Sequence, residues 1–170
     1  MRRPVVKYGD PILEKVAEPV TNFNTPELRQ LIKDMFETMY DSRGVGLAAP
    51  QVSVGQRLAI VDTSAGEDPQ QPFVMINPEI VLTEGSQTGE EGCLSIPGFR
   101  EDVTRPNKVK IRAQNEKGEW FEKEGDELLA RAILHENDHL NGVLFLSHLS
   151  ALKRELIRRK IKRLQRAGEW

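Results

Sequence analysis

The sequence predicts an α+β fold: antiparallel strands around a central helix that carries the chemistry, with one helix near the start and another at the end. Three observations predict it. Apolar residues recur at helical spacing in three stretches, around Leu28–Met39, Leu128–Leu140 and Leu149–Leu164. Between the first two, β-branched and aromatic residues fall in short runs bounded by turn formers. The length of 170 residues suits one domain with a good core, spanning 1–170, and leaves little room for a second.

Composition narrows the function classes. A formal net charge of −2 gives no global reason to expect nucleic-acid binding. The single cysteine, Cys93, excludes an internal disulfide and fits a reducing cytoplasm. Met1 to Asp10 carries basic residues with no apolar run behind them, so it does not read as a signal peptide. No stretch is long and apolar enough to span a membrane.

Taken in order, residues 1–24 read as a mostly irregular arm, broken at Asp10-Pro11 and Glu18-Pro19. Thr25-Pro26-Glu27 starts a helix: a capping hydroxyl, proline in the first turn, then a carboxylate. Leu28, Leu31, Ile32, Met35, Phe36 and Met39 form its core face. Ser42 to Gln51 reads as a constrained loop; taken alone, it is a turn carrying a surface glutamine. Arg57–Asp62 and Phe73–Thr83 read as strands around a polar loop, 64–72. Gly89 to Gly98 is a turn-rich segment holding Cys93. Val109, Ile111 and Ala113 alternate, Asn115 to Gly118 turns, and Trp120 begins the return strand of a hairpin. Asp126-Glu127 opens the next helix and Asn141-Gly142 closes it. Ser150 caps a last helix, 150–170, with Leu149, Leu152, Leu156, Ile157, Ile161 and Leu164 on its apolar side and lysines and arginines elsewhere.

The chemistry concentrates in His135-Glu136-Asn137-Asp138-His139. Positions i and i+4 share one helix face, so both imidazoles reach a single ion, while Glu136 beside them handles protons. Leu128, Ala132, His135 and His139 fall on one stripe, which places the histidines on the apolar side. A third ligand is needed. A histidine six residues after His139 would complete a longer known pattern, but Phe145 stands there and has no lone pair to give. Glu155 lies among basic neighbours and reads as solvated or ion-paired. Cys93 remains.

Three stretches together resemble the peptide deformylase family: Gly44-Val45-Gly46-Leu47-Ala48-Ala49-Pro50-Gln51, Glu91-Gly92-Cys93-Leu94-Ser95, and His135 to His139. The resemblance implies that fold and an activity, removal of the N-formyl group from the initiator methionine of nascent peptides with release of formate. It implies one divalent metal, Fe2+ physiologically, with Zn2+, Ni2+ or Co2+ as substitutes, held by Cys93, His135 and His139. It assigns Glu136 as general base and acid, and Gln51 with the Leu94 backbone N–H as oxyanion donors. Gly46, Glu91 and Gly92 would pair with the peptide backbone, and Val45, Leu128 and Ala132 would line the methionine pocket. Arg100 would anchor substrate or loop, although a surface salt bridge explains it nearly as well. His148 reads as structural. A bacterial cytoplasmic monomer follows, with ribosome contact through the last helix. Two other classes stay open: a peptidase cutting internal bonds, and a non-enzymatic metal or nucleic-acid binder.

Overall fold

The computed structural model describes residues 1–170. Helix α1 spans Pro26–Asp41, and the Thr25 hydroxyl accepts from the Leu28 N–H at 3.1 Å. Such a cap typically contributes about 1 kcal/mol. Strands β1 (Gly46–Ala48), β2 (Leu58–Val61) and β3 (Phe73–Glu84) follow. Then come β4 (Gln87–Gly92), β5 (Arg100–Arg105), β6 (Lys108–Gln114) and β7 (Trp120–Asp126). Helix α2 is Glu127–Leu140 and α3 is Ala151–Arg166. All pairings between strands are antiparallel: a five-stranded sheet ordered β1-β2-β3-β6-β7, and the separate β4–β5 hairpin.

Period-two alternation decides which helix each face of the sheet receives. On β2, Leu58 and Ile60 join Leu31, Met35 and Met39 of α1, while Ala59 and Val61 join Ala130, Ile133 and Leu134 of α2. Met35 and Met39 are fully buried, each contributing about 1.5–3 kcal/mol of hydrophobic stabilisation. The small residues Ala48, Ala59, Ala130 and Ala132 let α2 lie close against the sheet. With the sheet on one side and the hairpin near the other, α2 is buried almost all round from Ala130 to Leu140, Asp138 being only half-buried. A third cluster joins Leu13, Ile96, Val103, Phe145, Ile157 and Ile161, which fastens α3 to the rest.

Several expectations are corrected. The loop expected over Ser42–Gln51 contains strand β1 and a 3-10 turn, Ala49–Val52, because its apolar residues pair with β2. Gln51 is buried, not a surface residue. The segment around Cys93 begins as strand β4, and β5 was not anticipated; both are polar strands whose inward charges pair with one another. The N-terminal arm holds a short 3-10 turn at Pro11–Glu14, capped by Asp10. On α3 only Ile157 and Ile161 are buried, whereas Leu152 is 70% and Leu156 47% exposed. The helix touches its support along one narrow i, i+4 line, too narrow for the whole predicted stripe. No helix is long and apolar enough to cross a membrane.

Candidate active site

A cleft of about 620 Å³ is lined by the segment leading into β1, the end of β4 with the turn after it, and α2. Every site residue expected from the sequence lines it, except His139, which lies buried behind. The three candidate ligand atoms fall within 4.8 Å of one another. His139 Nε2 lies 3.2 Å from His135 Nε2 and 3.4 Å from Cys93 Sγ. A tetrahedral ion with ordinary metal–nitrogen and metal–sulfur bonds sets these separations at about 3.3 and about 3.6 Å. Phe145, at the excluded ligand position, is buried and stacks on the His135 ring. Glu155 pairs with Arg159 on the exposed face of α3 and takes no part.

Glu136 follows His135 on α2 and sits over β1. A Cβ added at Gly46 would lie 2.5 Å from Glu136 Oε2, so the close approach itself requires glycine. Its other oxygen, Oε1, is buried with no hydrogen-bond partner, an acceptor held ready for a proton. Burial pushes the Glu136 carboxyl up to about 7, against the pull of the His135 charge. Gln51 is oriented from both ends of its amide: Oε1 accepts from the Ala48 N–H at 3.0 Å, and Nε2 donates to Ser95 Oγ at 3.1 Å and approaches Cys93 Sγ at 3.6 Å. The Leu94 N–H donates to no acceptor of the chain. Val45 and Ala132 form the apolar wall, with Leu128 at the mouth, 51% exposed. Arg100 binds Glu90 across the hairpin at 2.6 Å, the surface pairing anticipated as its alternative.

Sequence reasoning missed what holds His135. Glu91 was expected to act through its backbone, yet its side chain is buried and accepts from His135 Nδ1 at 2.6 Å. Arg105 grips both Glu91 oxygens at 2.7 Å, and Arg131 adds a bond at 2.9 Å. Arg105 also reaches Asp138, which accepts from His148 at 2.8 Å. A carboxylate behind a ligating histidine sets its tautomer and raises its basicity. The one local signal was Arg131, a helical turn before His135; nothing near Arg105 in the chain marks it. Burial would lower the His135 pKa, but Glu136, Cys93 and Glu91 hold it well above the usual histidine value. Burial and the His135 charge hold His139 well below it. The thiol and imidazole donors of Cys93, His135 and His139 suit a divalent transition metal.

The sequence profile of the polypeptide deformylase family matches residues 2–155. The chain belongs to that family. The peptide deformylase of Acidobacterium capsulatum is 58% identical over 170 residues, covering 100% of this chain and 99% of the relative. The crystal structure of a peptide deformylase from Legionella pneumophila superposes with a TM-score of 0.91 at 45% identity, covering 99% of this chain and 98% of that one. The peptide deformylase of Thermus thermophilus gives a TM-score of 0.89 at 38% identity, covering 98% of this chain and 99% of that one. Deformylases are metal-dependent hydrolases of the formyl-peptide amide, and the α+β architecture described above is the deformylase fold.

In this deformylase, Glu91→Gln is expected to weaken retention of a divalent ion about 10–100-fold, measured by competition with a chelator. The same variant carries a pH signature. Burial disfavours the Glu91 carboxylate, but Arg105 and His135 overcome this and hold it well below the usual carboxylate range. A carboxyl depressed in the native state contributes stability above its unfolded pKa, about 4.3, and loses it as pH falls toward the native value. The melting temperature of the parent protein should therefore drop more steeply below about pH 4 than that of Glu91→Gln. Superimposable slopes would show that Glu91 is not the ionised partner.

Proposed function

We propose that this chain removes the N-formyl group from N-formylmethionyl nascent peptides, with residues 1–170 acting as one catalytic unit. The observation that carries the assignment of roles is the meeting of Cys93, His135 and, behind the cleft wall, His139 beside Glu136 and the Gln51 amide. Cys93 Sγ, His135 Nε2 and His139 Nε2 would hold one divalent ion, which we take as Fe2+ though the donors also accept Zn2+, Ni2+ or Co2+, and which supplies Lewis acidity and water activated near neutral pH.

The chain's own residues do the rest. The substrate lies as an added strand along β1 and the end of β4, both unpaired on the edge that borders the cleft. Gly46 and the Glu91–Gly92 backbone face it there. Its methionine side chain enters the wall formed by Val45, Leu128 and Ala132. Gln51 Nε2 and the Leu94 N–H donate to the formyl oxygen, whose negative charge grows as the water oxygen bonds to the formyl carbon; such donors contribute about 3 kcal/mol each. Glu136 takes the proton of that water and passes it to the amine nitrogen as the carbon–nitrogen bond breaks. Formate and a free amino terminus result. We place the enzyme in a bacterial cytoplasm as a monomer. The exposed Arg158, Arg159 and Lys162 of α3 support a contact with ribosomal RNA, which charge reversal there should abolish in co-sedimentation.

Formate release from a formyl-Met tripeptide, with anaerobic ferrous-loaded protein and the N-acetyl peptide as control, tests the activity. Release from the first and none from the second is expected. No release from a metal-loaded protein would overturn it.

A further inference from the structure

The cleft wall carries four cationic or potentially cationic side chains: Arg43, Arg100, Arg131 and His135. Three are matched by acids of the chain. Arg100 binds Glu90 at 2.6 Å, while Arg131 and His135 bind Glu91 at 2.9 and 2.6 Å. Arg43 has no acidic partner. Asp41, two residues before it, is taken by Arg2 at 3.5 Å. Arg43 is exposed, yet its backbone is fixed at the end of α1. It sits in the left-handed region at φ 57°, its N–H donates to Tyr40 O at 3.0 Å, and the Gly44 N–H donates to Met39 O at 2.9 Å. The side chain therefore starts from a rigid point.

From Gly46, beneath Glu136, the chain runs back through Val45 and Gly44 to Arg43. Three residue steps span at most about 10 Å, so Arg43 stands within that distance of Gly46, and both line the cleft. A peptide whose reacting end lay at Gly46 would bring its second and third residues within reach of the Arg43 side chain. We propose that Arg43 makes this enzyme favour formyl-Met peptides with aspartate or glutamate at the second or third position. The proposal rests on the deformylase activity inferred above and adds a preference that the formyl and methionine contacts do not create. An exposed ion pair is weak, so its expected effect is about two- to fivefold.

The test compares kcat/KM for C-terminally amidated formyl-Met tetrapeptides carrying Glu or Lys at position two or three. Amidation removes the peptide's own terminal carboxylate as a rival anion. At low salt, the Glu peptide should exceed its Lys twin about two- to fivefold at one of these positions, mainly through KM. Arg43→Gln should bring the ratio near one and Arg43→Glu should invert it. About 1 M NaCl, with a screening length near 3 Å, should erase it. Equal rates for Glu and Lys at both positions, or an Arg43→Glu enzyme that keeps the parent ratio, would overturn the proposal. No formate from any peptide would overturn the deformylase activity itself, and the preference with it.

Discussion

Glu136→Gln should lower kcat about 10²–10⁴-fold while the protein keeps its metal and its fold. Glutamine has nearly the shape of glutamate, so the packing over Gly46 survives, but its amide cannot take a proton from water at neutral pH. Glu136 sits beside the three ligand atoms without being one of them, with a buried oxygen that no group of the chain satisfies. Its carboxyl, raised by burial to about 7, lies where an acid–base group exchanges protons most readily at physiological pH. Metal content measured beside turnover separates the outcomes. Full activity would remove Glu136 from the proton path; loss of metal together with activity would make its role structural.

Gly46→Ala should lower kcat/KM about a hundredfold, with little change in melting temperature. The added methyl would come within 2.5 Å of Glu136 Oε2 and 2.9 Å of its carboxyl carbon. One of the two must yield. Because β1 is fixed by its pairing with β2, the carboxylate is the group that moves. A displacement of about 1 Å at a catalytic group costs on that scale. Activity within about threefold of the parent would show that the cleft accommodates the methyl by another route. Gly46→Ala and Glu136→Gln should also be strongly non-additive, since both act on one carboxylate.

Much of this molecule is legible in its sequence, and the limits have physical causes. The i, i+4 histidines, the apolar stripe around them and the Thr25-Pro26 start are local patterns, and each appears at its expected place. Read locally, Gln51 fits an ordinary turn better than a donor to a substrate carbonyl; the resemblance tipped the balance, because the Ala48, Cys93 and Ser95 contacts that orient it depend on tertiary folding. Strand β5 was hidden for a related reason. Its inward positions include Arg105, which sequence logic sends to solvent and which here is buried against Glu91 and Asp138. A polar group buried on a partner far along the chain leaves no periodic trace. The exposed Leu152 and Leu156 show the converse, a stripe wider than the surface available to cover it.

If substrate binds as the added strand proposed above, the two unpaired strand edges beside the cleft also limit when the enzyme can act. A segment that completes a sheet must arrive extended, with its own N–H and C=O groups unspent. An amino terminus already wound into a helix, or built into a strand of its own domain, cannot supply them. The opportunity therefore closes as the new protein folds. Recognition by backbone in this way would make the enzyme broadly tolerant of sequence, and at the same time make it race the folding of the chains it processes.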